Sequence, residues 1–103
     1  MSVLVEFAMF PTDKGVSVSE YVSRIIKMMD EGGVDYQLTP MGTIFETETM
    51  TEALKMIERS YKVLEKDCAR VYSSVKFDIQ SEKSNRMISK VKSIEMKIGT
   101  VKK

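Results

Sequence analysis

Residues 34–46 read VDYQLTPMGTIFE. Tyr36 and Leu38 alternate with Gln37 and Thr39, the period-two pattern of a strand, and Thr43 to Thr47 reads as another. Only Pro40-Met41-Gly42 lies between them. A link that short joins antiparallel neighbours, because parallel strands need a crossover of a dozen residues or more. The stretch is therefore a hairpin, and the rest of the fold depends on what flanks it.

Upstream, Val3, Val5, Phe7 and Met9 form one apolar face, and Leu4, Glu6, Ala8 and Phe10 a second that is mostly apolar. A strand apolar on both sides belongs in the middle of a sheet. Pro11 ends it. Val18, Tyr21, Val22, Ile25, Ile26 and Met29 then recur at helical spacing. Ser17 and Glu20 have the S-x-x-E spacing of a capping box, Val16 and Tyr21 occupy the staple positions, and Gly32-Gly33 stops the helix. Downstream, Thr49 and Glu52 repeat the cap before a second helical stripe, Met50, Ala53, Leu54, Ile57, Tyr61 and Leu64. ARVYSSVKFDI, residues 69–79, reads as a fourth strand. Val71, Val75, Phe77 and Ile79 face one way; Tyr72, Ser74, Lys76 and Asp78 face the other. After the polar link QSEKSN, Met87, Val91, Ile94 and Ile98 mark a last, shorter helix.

The order β-α-β-β-α-β plus a helix predicts an α+β fold. Residues 1–82 form a ferredoxin-like βαββαβ sandwich with a four-stranded antiparallel sheet, both main helices lying on one face. Residues 83–103 form a C-terminal basic helix packing on the same or a neighbouring subunit. The opposite sheet face has no cover within the first 80 residues. Its occupants include Leu4, Ala8, Phe10 and Tyr72 beside Glu6, Lys76 and Asp78. That much uncovered apolar area predicts a homo-oligomer, a dimer through sheet faces extended to a tetramer with help from the final helix.

The 103 residues suit one domain, with 43% hydrophobic and 30% charged side chains. The chain contains no histidine. A Ser-His-Asp triad, a Cys-His pair and a His-rich metal site are therefore excluded, and no metal ligand or catalytic residue is assigned. Cys68 is the single cysteine and cannot form an internal disulfide, which suits a reducing cytoplasm. MSVLVEFAMF reads as a strand and not as a signal peptide, and no run approaches the ~18 apolar residues of a membrane span. Charge is uneven. Residues 83–103 carry seven basic side chains against Glu95 alone, and residues 1–82 carry nine basic against fourteen acidic. A basic tail on an acidic body predicts docking on itself or on a neighbour. Nucleic acid is not an expected partner, since the tail has no interleaved aromatics and the body repels phosphate.

SVSEYV, YQLTPMGTIFE, ARVYSSVKFDI and ISKVKSIEMKIG, in that order and spacing, resemble the small thiamine-binding protein family. The resemblance runs from Val3 to Gly99 and is most specific in PMGT and RVYSSVKFD. It implies a ferredoxin-like domain that forms dimers and often tetramers. It also implies that some relatives bind thiamine or its hydroxymethylpyrimidine fragment near subunit contacts; it does not imply an enzyme, and no cofactor is expected.

Thiamine presents a permanent cation, an aminopyrimidine edge and two flat rings. Its site needs a carboxylate or other acceptors and an apolar or aromatic wall. The candidates are Glu46 and Asp78 as carboxylates, Tyr36 and Tyr72 as walls, and Met41 as an adaptable apolar surface. Gly42 allows close backbone approach, and Thr43 offers a hydroxyl. Each has a plainer reading: a turn at 40–42, a solvated strand-end carboxylate at Glu46, core or interface tyrosines, and a cross-strand charge set of Glu6, Lys76 and Asp78. Two other classes of function stand beside ligand binding. One is a dimeric ferredoxin-like enzyme, a cofactor-free oxygenase or isomerase. The other is a regulatory module whose oligomer is the working surface.

Overall fold

The computed structural model describes all 103 residues. The elements run β1 (Ser2–Pro11), α1 (Ser19–Glu31), β2 (Tyr36–Thr39), β3 (Gly42–Thr47), α2 (Met50–Lys62), β4 (Val71–Gln80) and α3 (Arg86–Ile98). The sheet order is β2-β3-β1-β4, antiparallel throughout. This is the ferredoxin-like sandwich with an extra C-terminal helix. The doubly apolar β1 lies inside the sheet, as its two faces require. Val3, Val5, Phe7, Met9 and Phe45 from the sheet bury against Ile25 and Met29 of α1 and Ala53 and Met56 of α2. The Phe7 and Phe45 rings meet edge to face at 5.6 Å. β1 continues through Pro11, one residue further than expected. β3 begins only at Gly42 and its pairing with β1 reaches no further than Phe7, so the proline's missing N–H falls where β1 has no neighbour on that side.

The two helix starts differ. Thr49 caps α2 as its spacing predicts: its hydroxyl accepts from the Glu52 amide at 3.1 Å and donates to the Glu52 carboxylate at 3.0 Å. The Ser17 capping box does not form. Val18 occupies the N-cap position with no side-chain cap, and its carbonyl accepts from the amides of Tyr21 and Val22. Val16 is fully exposed, so there is no staple. Packing decides this start, because Val18 and Val22 line a cleft beside the sheet. The left-handed residue at the end of α1 is Gly33, at φ 71°.

α3 crosses the sheet face opposite α1 and α2 and contacts β1 and β3. Its first residue holds it there. Arg86 is 1% exposed. Its Nε donates to Ser2 Oγ at 2.9 Å and its Nη2 to the Ser2 carbonyl at 3.0 Å and to the Asp78 carbonyl. Nη1 lies 2.9 Å from Asp78 Oδ2, an ion-pair contact outside hydrogen-bond alignment. Asn85 precedes the helix at φ 53° and supplies no side-chain cap. Glu46 caps it from β3 instead, accepting from the Arg86 amide at 2.9 Å and the Met87 amide at 3.2 Å. A carboxylate at a helix N-terminus also meets the positive end of the helix dipole.

Candidate functional site

The hairpin of β2 and β3 has an unusual tip. Thr39 pairs with Gly42, leaving Pro40 and Met41 as a two-residue loop. Such loops favour primed turns, which need positive φ. Pro40 cannot adopt it and Met41 does not. The Thr39 hydroxyl holds the tip instead. It accepts from the amides of Met41 at 3.3 Å and Gly42 at 3.1 Å and donates to the Gly42 carbonyl at 2.7 Å. Gly42 is required by crowding, since a Cβ there would stand 2.9 Å from the Phe7 carbonyl oxygen.

Between this tip and the first turns of α1 lies a cleft of about 320 Å³. Phe7, Met9 and Phe10 of β1, Val18, Val22 and Ile26 on the helix side, and Leu38 to Thr43 of the hairpin line it. None of its lining residues ionises. Thr39 is tied up in the turn, whereas the buried Thr43 hydroxyl makes no hydrogen bond to another side chain. The arrangement is an apolar slot with few polar groups, the usual composition of a site for a flat organic ligand. A larger depression, about 440 Å³, lies between α3 and β2, rimmed by Asp35, Lys92, Glu95 and Lys103. Glu95 there already accepts from Lys103 at 2.8 Å and from the Val101 amide at 3.1 Å. No group of three or more Cys, Asp and Glu side chains converges to hold a metal ion.

The seven candidate residues are not brought together. Met41, 88% exposed at the hairpin tip, Gly42 and Thr43 line the cleft. Tyr36 is on the neighbouring strand β2 and outside the cleft, its hydroxyl donating to Asp30 at 3.1 Å. Tyr72 is on the opposite sheet face, 5.9 Å from the Phe10 ring. Glu46 and Asp78 are both engaged with α3. Burial pushes the Glu46 carboxyl up. The Ser2 hydroxyl at 2.5 Å, the Arg86 and Met87 amides and the Arg86 charge outweigh that and hold it below its ordinary value. Lys90 and Arg86 hold Asp78 below its own. These carboxylates anchor a helix. The cleft is instead built by Phe7, Met9, Phe10, Val18 and Val22, which read in the sequence only as members of apolar stripes. Their one signal was that β1 is apolar on both faces.

Fold and cleft together define a ferredoxin-like domain with an apolar slot between its first helix and its hairpin. Comparison with known proteins narrows this. The pattern of the family described as thiamine-binding protein matches residues 5–95, and the chain belongs to that family. UPF0045 protein MJ1052 of Methanocaldococcus jannaschii is 33% identical over 92 residues, covering 89% of this chain and 91% of that protein. Its crystal structure superposes with a TM-score of 0.80 at 32% identity, over 90% of this chain and 95% of that one. A Thermotoga maritima structure described as a putative thiamine biosynthesis/salvage protein shares the fold. Its TM-score is 0.73 at 20% identity, over 87% of this chain and 98% of that one. No helix is long and apolar enough to cross a membrane.

Proposed function

We propose that this protein binds thiamine or a related hydroxymethylpyrimidine without transforming it, in the cleft beside the PMGT hairpin. Membership in the thiamine-binding family supports the ligand class. The observation that carries the location is a cleft with aromatic and aliphatic walls, no ionisable lining residue and the Thr43 hydroxyl within it. A permanent cation buried there lacks a counter-ion, an arrangement that is costly in an apolar site. The uncharged aminopyrimidine therefore enters between Phe7, Phe10 and Val22, with Thr43 available to a ring nitrogen or the amino group. The thiazolium of thiamine stays at the mouth near Pro40 and Met41, in contact with water. Phe10 also stands beside Tyr72 on the open sheet face, so a homo-oligomer formed through sheet faces brings a second subunit close to the cleft.

Isothermal titration with thiamine and with hydroxymethylpyrimidine tests the reading. Heat with either ligand, reduced by Thr43→Val, is expected, and mass spectrometry should recover the ligand unchanged. No heat and no thermal shift at millimolar concentrations of both ligands would overturn it. A ligand recovered chemically altered would replace binding by catalysis.

A further inference from the structure

We propose that the main-chain N–H and C=O of Met9 are the polar recognition pair of the cleft, and that they read the amidine edge of an aminopyrimidine, a ring nitrogen beside an exocyclic amine. This deepens the binding reading above and rests on it. The phase of the sheet identifies the pair. Hydrogen-bonded positions alternate along an antiparallel ladder, and both main-chain groups of one residue leave the strand on the same side. The Thr12 amide donates to the Arg70 carbonyl at 2.9 Å, in line with the β1–β4 register, so the even residues of β1 turn toward β4. The Glu46 amide donates to the Asp35 carbonyl at 3.3 Å, so the even residues of β3 turn toward β2 and the odd ones toward β1. The two phases agree. Odd residues of β1 face β3: Val3 opposite Thr47, Val5 opposite Phe45 and Phe7 opposite Thr43.

Met9 is next in that series, and β3 does not reach it. The residue that would stand opposite is Met41, which lies in the hairpin loop, and the two do not pair. No loop or cap hydrogen bond reaches Met9 either. The tip groups of Thr39, Met41 and Gly42 bond to one another instead. Pro11, the following odd residue, has no N–H to offer. Met9 therefore carries the one unpaired main-chain donor of β1 on this side, with its own carbonyl as acceptor beside it. Buried main-chain groups are almost always paired. Met9 is 6% exposed and lines the cleft, so this pair opens on the slot.

A further strand residue would meet Met9 with an acceptor and a donor side by side. The aminopyrimidine edge offers the same pattern: the ring nitrogen accepts from the Met9 N–H, and the amine donates to the Met9 carbonyl. The ring thus enters edge-on as a substitute for the missing strand residue, flanked by Phe7, Phe10 and Val22. The pattern also sets specificity. A pyrimidine with a carbonyl in place of the amine carries its proton on the ring nitrogen, and that proton faces the Met9 N–H, donor against donor. A pyrimidine without the amine leaves the Met9 carbonyl unpaired.

Nuclear magnetic resonance on the unmodified protein tests the contact directly, with protein and hydroxymethylpyrimidine both labelled with nitrogen-15. A scalar coupling across the hydrogen bond should link the Met9 amide nitrogen to the ring nitrogen beside the amine, and the Met9 amide proton should move downfield. Titration calorimetry then compares hydroxymethylpyrimidine with its desamino analogue and with the analogue carrying a carbonyl in place of the amine. Each analogue should bind at least about tenfold more weakly, the effect of leaving a buried main-chain group unpaired. Hydroxymethylpyrimidine that binds without the coupling and without moving the Met9 amide would overturn the Met9 assignment alone. So would analogues that bind as tightly as the amino compound. Absence of heat with hydroxymethylpyrimidine itself would overturn the binding reading, and the Met9 assignment with it.

Discussion

Arg86→Met is the perturbation that most directly tests how α3 is held. The side chain is 1% exposed and donates to Ser2 Oγ, the Ser2 carbonyl and the Asp78 carbonyl, with the Asp78 carboxylate 2.9 Å away. Methionine keeps most of the volume, so the loss is electrostatic. Removing one member of a fully buried ion pair costs about 3–5 kcal/mol. The Asp78 side chain is 50% exposed and recovers water when its partner leaves. The cost should therefore fall to about 2–3 kcal/mol, close to that of the lost charge-assisted hydrogen bonds. For a domain of this size that is a drop in melting temperature of about 10–20 °C. Amides in α3 should lose protection first, because Arg86 and Glu46 hold its first turn. The effect also depends on pH. Glu46 and Asp78 sit below their ordinary values of 4.5 and 3.8 in the folded protein. Their stabilisation is complete above those values and is lost as pH falls through the lower folded-state values. The gap between wild type and variant should narrow below pH 3.8. Urea denaturation at neutral and acid pH measures it. A neutral-pH loss under about 0.5 kcal/mol, the range of ordinary surface changes, would show that Arg86 does not hold α3 in place. So would a gap that ignores pH.

Three further outcomes are expected. Thr49→Ala should cost about 1 kcal/mol in urea denaturation by removing the α2 cap, while Ser17→Ala should change stability by less than about 0.5 kcal/mol because no cap forms there. Gly42→Ala forces a methyl group to 2.9 Å from the Phe7 carbonyl oxygen and should destabilise by about 1–3 kcal/mol, read as a lowered urea midpoint. Thr43→Val keeps the shape of the cleft and removes its available hydroxyl. It should weaken hydroxymethylpyrimidine binding about fivefold to tenfold in titration calorimetry, the value of one hydrogen bond.

Much of the fold was legible because it rests on local repetition. The alternation in β1, the helical stripes and the short Pro-Met link are properties of neighbouring residues. β1 and α1 bury the stripes that the sequence displays, but α2 buries Ala53, Met56 and Ser60 and leaves Leu54 and Tyr61 exposed, and Phe77 and Ile79 of β4 and Ile94 and Ile98 of α3 also stay exposed. The Thr49 cap is equally local. The Ser17 cap has the same spacing and fails, because Val18 and Val22 pack toward the cleft and the helix begins at Ser19. Spacing proposes a cap, and tertiary packing accepts or refuses it.

The candidate site was legible in part. Met41, Gly42 and Thr43 stand out in the sequence and do line the cleft. Glu46 and Asp78 looked like ligand carboxylates because the strand pattern shows only that they face away from the core. Arg86 looked like one more basic residue of a basic tail. Its contact with Ser2 spans 84 positions, and no local spacing encodes such a pair.

Local periodicity was enough for the order of elements, the inward faces of β1 and α1 and the hairpin, since it acts over a few residues and selects between helix and strand. Where the charges went depended on packing between distant segments. Glu46, Asp78 and Arg86 meet because three separate elements converge at one end of the sheet, and an ion pair depends on distance in space rather than along the chain.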